Sequence, residues 1–131
     1  MMIDITRYLK RGLRGTLLLA NNAHFSYGSS WQRVEGNLPL DRWYQGDFAS
    51  AEYTISVELG RDKKEIIKCL LTASPNEASV VVYGRASTTT DLVNVTAQVT
   101  NSYVELVVSP KSDTEKGAKA AFSATYFKSH T

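Results

Sequence analysis

The chain alternates apolar and polar residues with a period of two over most of its second half. In "EYTISVEL", residues 52–59, Tyr53, Ile55, Val57 and Leu59 alternate with Glu52, Thr54, Ser56 and Glu58. That period predicts a strand with one wet face. A charged turn, "GRDKKE", separates it from "IIKCLLTA", where Ile67, Cys69, Leu71 and Ala73 share one side. Ile66 and Leu70 fall on the other, which predicts a strand covered on both faces. "SPNEAS" has the composition of a type I turn and leads into the strand "VVVYG". "LVNVTAQVT" places Val93, Val95, Ala97 and Val99 inward and Asn94, Thr96, Gln98 and Thr100 outward. Asn101 and Ser102 link it tightly to "YVELVV", whose Val104, Leu106 and Val108 make the matching face, and the pair predicts a hairpin. A last strand turns Phe122, Ala124 and Tyr126 inward.

With a shorter strand around residues 16–20, the count is about seven, at the spacing of a single antiparallel β-sandwich. The expected fold class is therefore all-β, with a sandwich domain over 16–131 and an N-terminal arm over 1–15. The arm holds the one helix candidate, residues 4–14. There Ile5, Leu9 and Leu13 share a face largely opposite Arg7, Lys10, Arg11 and Arg14, while Gly12 and Gly15 weaken the helix. Residues 21–51 follow neither period. They carry Phe25, Tyr27, Trp31, Trp43, Tyr44 and Phe48 among glycines, and so long an aperiodic stretch inside a domain is often functional.

Composition narrows the classes. A chain of 131 residues suits one core, and 43% hydrophobic with 21% charged residues is ordinary for a folded domain. The formal net charge is +2, with basic residues scattered except in the arm, so nucleic acid is not expected as a partner. No run approaches the roughly 18 apolar residues of a membrane helix, and no membrane partner is expected. "TLLLA" is too short for a signal-peptide core, so the start is expected to belong to the mature protein. Cys69 is the one cysteine, which excludes an internal disulfide, fits synthesis inside a cell and reads as a small packing residue.

Candidate chemistry is thin. His24 could join a Ser-His-Asp arrangement only by assembly across the fold, without a nucleophile-elbow sequence in support. Glu35, Asp41, Asp47 and Glu52 could form paired carboxylates, but acidic residues in loops and on outward strand positions are usually solvated. No His-x-His, Cys-x-x-Cys or EF-hand spacing occurs, and "SYGSS" lacks the lysine of a phosphate cradle. No cofactor, metal or catalytic residue is expected. "NVT" at Asn94 matches a glycosylation sequon by coincidence in mid-strand. The aromatic stretch supports three readings: a cap on the open end of the sandwich, a protein contact, or a platform for sugar rings. Arg33 and Arg42 beside the tryptophans favour protein contact over sugar. The expected partner-binding residues are Arg7, Lys10, Arg11, Arg14, Trp31, Arg33, Arg42, Trp43 and Tyr44.

Residues 46–127, through "AEYTISVE", the strand end "VYGR" and the final "SATYF", resemble virion structural proteins of tailed phages that infect marine cyanobacteria. The resemblance implies a β-rich, non-enzymatic module of the tail or fibre apparatus, made in the host cytoplasm and built into the virion. Other virion proteins, or further copies of the chain, are its implied partners. The alternative from the residues themselves is a carbohydrate-binding sandwich used in host recognition.

Overall fold

The computed structural model describes residues 15–19 and 24–129, with side chains from residue 26 onward. Among these residues ten strands form two antiparallel sheets: β1 (Gly15–Leu19), β2 (His24–Ser29), β3 (Gln32–Val34), β4 (Leu38–Tyr44), β5 (Phe48–Leu59), β6 (Lys63–Ala73), β7 (Ala78–Ser87), β8 (Val93–Thr100), β9 (Tyr103–Pro110) and β10 (Ala118–Lys128). The larger sheet runs in the order β1-β2-β10-β5-β6-β7, and β3 also pairs β10; the smaller runs β4-β9-β8. The all-β antiparallel sandwich expected from the periodicity is the fold. Among the described residues, no helix is long and apolar enough to cross a membrane.

The last strand is the keystone. β10 pairs β5 on one side, with Phe122 opposite Ile55 and Ala124 opposite Tyr53, and on the other side pairs first β3 and then β2. Where those two short strands break, the Ser29 hydroxyl accepts the Phe122 amide at 3.0 Å, so the interruption leaves that buried donor satisfied. Because β10 meets strands distant in sequence, closing this sheet depends on long-range pairings.

The inward faces of the two sheets meet over Ile55, Val57, Ile67, Leu71, Leu92, Val104, Leu106 and Val108, all buried. At one end the core becomes aromatic. Phe48 stacks on Tyr126 with ring centroids 4.9 Å apart and meets the edge of Trp43 at 5.6 Å, while Tyr53 stands edge-on to both Phe122 and Tyr126. Each such pair adds about 0.5–1.5 kcal/mol beyond its buried area. The hairpin β8–β9 turns at Asn101 and Ser102, whose φ values of 51° and 70° are both left-handed. Two such residues make the turn whose twist suits a two-residue hairpin, as the sequence predicts.

Three expectations change. Among the described residues ten strands replace about seven, because the aperiodic stretch 21–51 holds β2, β3 and β4, each too short or too interrupted to show a period. The chain passes from the larger sheet to the smaller between β3 and β4, at residues 35–37. β6 is not covered on both faces among the described residues: Ile66 and Leu70 are exposed on its outer side. Trp43, expected at a partner surface, is 1% exposed and belongs to the core. The candidate helix, with Arg7, Lys10, Arg11 and Arg14, lies outside the described residues.

Candidate interaction surfaces

The aromatic stretch is dealt to three different places. Past the register shift that also buries Leu40, alternation along β4 turns Asp41 and Trp43 inward and Arg42 and Tyr44 outward; β3 turns Val34 inward and Arg33 outward. Trp31, in the link before β3, is 48% exposed. It borders a shallow hollow of about 280 Å³ lined also by Glu58, Gly60, Gly117 and Lys119. Arg33 lies on the neighbouring surface, ion-paired with Glu35 and close to the Cα of Gly117, whose φ of 90° suits glycine. Trp31 and Arg33 thus stay near each other on the larger sheet, while Arg42 and Tyr44 lie on the outer face of the smaller one.

On that outer face the register aligns Arg42, Glu105 and Gln98 in one row and Tyr44, Tyr103 and Thr100 in the next. The Arg42 guanidinium lies over the Tyr103 ring at 4.2 Å, its Nε 3.4 Å from a Glu105 carboxylate oxygen. Gln98 donates to the other Glu105 oxygen at 2.8 Å. Tyr44 meets the edge of Tyr103 at 5.9 Å. Glu105, in the central strand, is buried beneath this cover, whereas the Arg42 side chain remains about half exposed. A guanidinium pinned flat by a ring and a carboxylate has already lost much of its rotamer freedom, which lowers the cost of using it as an interface anchor. Tyr103, Glu105 and Gln98 were missed as site residues in the sequence. Their outward parity, opposite to Val104, Leu106 and Val99, is the signal that could have found them.

The outer face of the larger sheet is different in character. Leu70 and Val81 are neighbours across β6 and β7, and with Phe127 they border a groove of about 530 Å³ that also includes Glu52, Thr72, Ser79 and Thr125. Tyr83 reaches back over β6 to donate its hydroxyl to Glu52 at 2.9 Å, and this bond to a carboxylate raises the phenol above its ordinary pKa. Leu70, Val81, Tyr83 and Phe127 are all exposed.

The candidate catalytic carboxylates do not converge. Glu35 pairs with Arg33, and Glu52 accepts from Tyr83. Asp41 and Asp47 are buried rather than solvated. Asp41 Oδ2 accepts the hydroxyls of Tyr53 and Tyr126, each at 2.6 Å, and Tyr53 in turn accepts the Trp43 indole N–H at 3.1 Å. This network joins β4, β5 and β10 across the two sheets. A second buried carboxylate, Glu65, accepts from Arg85 at 2.7 Å, from the Ser87 hydroxyl at 2.8 Å and from the Leu92 amide at 3.1 Å. It fastens the link from β7 to β8 onto β6. Among the described residues, no group of three or more His, Cys, Asp or Glu side chains could hold a metal ion. The Cys69 side chain is fully buried, and burial pushes its thiol up to about 12, as a packing residue requires. His24 lies in β2 by its backbone, and His130 falls outside the described residues.

No family model matches the chain, and no curated protein matches it. Among solved structures, the chain is similar to the tailspike protein of Acinetobacter baumannii phage AM24, with 14% identity, a TM-score of 0.42, and coverage of 91% of this chain and 27% of that one. It is also similar to the tailspike protein of Acinetobacter phage vB_ApiP_P1, with 9% identity, a TM-score of 0.43, and coverage of 87% of this chain and 22% of that one. The chain thus spans about a quarter of the length of each tailspike. Both come from phages of Acinetobacter, not of marine cyanobacteria.

Proposed function

We propose that the chain is a non-enzymatic structural module of a phage virion, used in several copies in the tail or fibre apparatus and held there by protein–protein contacts. The observation that carries the contact reading is the Arg42, Tyr103 and Tyr44 cluster: an arginine and two tyrosines, the residue types that dominate interface hot spots, preorganised on an open sheet face. Supporting it, Asp41 and Glu65 are committed to networks that join strands, as structural groups are. The virion setting, and marine cyanobacteria as the host class, rest on the resemblance of residues 46–127. Trp31 and Arg33 form a second contact area, and Arg7, Lys10, Arg11 and Arg14 make the arm a tether to an acidic neighbouring subunit.

Cross-linking mass spectrometry of purified virions tests this reading. It should recover the chain in particles, linked to another virion protein or to itself, and Arg42→Ala with Tyr44→Ala should lower incorporation at least tenfold while the protein stays folded. Absence from particles would end the proposal. Removal of residues 1–14 should likewise lower incorporation without unfolding the sandwich.

A second reading, glycan binding, is favoured by one observation: exposed Trp31 beside its hollow. Trp43 is unavailable to a sugar because it is buried. Quenching of tryptophan fluorescence by host surface glycans, lost in Trp31→Phe, would favour this reading over the first.

A further inference from the structure

We infer that β7 is a self-pairing edge: a second copy of this chain adds its own β7 antiparallel to the first, joining two larger sheets into one. The inference deepens the multi-copy reading above and rests on it. β7 ends the strand order of the larger sheet, so one side of its backbone pairs β6 and the other has no strand partner among the described residues. A row of open N–H and C=O groups calls for a strand, not for a small molecule or a helix.

The two edges of the smaller sheet are poorer templates. β4 carries Pro39, which lacks a donor, and its register shifts between Pro39 and Asp41. β8 presents Asn94, Thr96, Gln98 and Thr100 on its outer side. β7 instead contains Ser79-Val80-Val81-Val82-Tyr83, five residues without proline or charge, and its one charged residue is Arg85. Val80 and Val82 pack toward the core, while Val81 and Tyr83 stand outward, 54% and 50% exposed. Natural edges are normally blunted by charge, proline or a bulge; Ser79–Val82 has none of these, and the irregularity and Arg85 follow at its end.

The occupant is a second copy because the strand complements itself. With Val81 opposite Val81 of the second copy, Val80 meets Val82 on the inner face and Ser79 meets Tyr83 on the outer. An antiparallel approach keeps the Glu77 ends of the two strands apart, whereas a parallel one sets them side by side. The ladder is bounded at one end by the irregularity where Tyr83 falls between the Lys68–Gly84 and Cys69–Val82 pairs, which confines pairing to about five residues. So short an interface gives a modest dimer, suited to an assembly in which other contacts add.

Sedimentation of the purified full chain at roughly 100 µM should show a concentration-dependent dimer, weakened at least tenfold by Val81→Lys with an unchanged circular dichroism spectrum. Val81→Cys should cross-link to itself under mild oxidation, because directly opposed residues lie within disulfide reach. Ile66→Cys, equally exposed but one strand further in, should not. A strictly monomeric wild type, a Val81→Lys dimer as tight as wild type, or a Val81→Cys chain that fails to cross-link would each overturn the pairing. A strictly monomeric wild type that is nevertheless recovered in virions would overturn the pairing alone and leave the proposed function standing. A wild type that dimerises through β7 but is absent from virions would do the reverse.

Discussion

Replacing Tyr126 with phenylalanine removes one oxygen from a buried network and leaves the ring stacked on Phe48. In the folded chain that hydroxyl donates to Asp41 Oδ2 at 2.6 Å, beside the matching bond from Tyr53. Asp41 and Tyr126 are both 1% exposed, so water cannot take the lost donor's place without opening the core. Removing one partner of a buried hydrogen bond costs about 1–3 kcal/mol. Tyr126→Phe should therefore destabilise by about 2 kcal/mol, which at this chain length lowers the melting midpoint by roughly 6–10 °C. Tyr53→Phe should cost more, about 3–5 kcal/mol, because it removes a donor to Asp41 and also leaves the buried Trp43 indole N–H without its acceptor. Urea denaturation with an unchanged slope gives both values, and a double-mutant cycle gives the coupling through Asp41. A Tyr126→Phe midpoint within about 0.5 kcal/mol of wild type, or a smaller cost for Tyr53→Phe than for Tyr126→Phe, would refute the claim that this network fastens the two sheets.

Cys69 should resist thiol reagents at pH 8 until the chain unfolds, since burial holds the thiol neutral. The folded pKa is raised from 9.0 to about 12, so its stabilising contribution is complete below pH 9 and is lost as pH rises toward 12. Cys69→Val should lose less stability than wild type over that alkaline window, read by urea midpoints at pH 8 and pH 11. Ser102 holds a φ of 70° that glycine adopts without strain, so Ser102→Gly should stabilise by about 0.5–1 kcal/mol. Gly117→Ala should destabilise by about 1–2 kcal/mol, because its φ is 90° and the new methyl would sit 3.3 Å from the Arg33 guanidinium.

The second half of the chain announces its own strands. Period-two alternation through β5, β8, β9 and β10 assigns each side chain to a face, because a strand has only two faces and water penalises the wrong choice. Asn101-Ser102 marks the hairpin by the same local logic, since few residues tolerate left-handed φ. Residues 24–44 were not legible as strands. β3 is three residues long, and its neighbours are interrupted by glycine, proline and a change of sheet, so no window is long enough to show a period. The aromatic stretch shows the limit for the candidate sites. Trp31, Trp43 and Tyr44 look alike in composition, but the parity of β4 buries Trp43 and exposes Tyr44 one residue later. Asp41 looked like a solvated carboxylate because its tyrosine partners lie 12 and 85 residues away. The cover over Glu105, the exposure of Ile66 and Leu70, and the open edge of β7 were likewise settled by strand order. Strand order depends on which distant segments meet, and that is a property of the closed sheet rather than of any window along the chain.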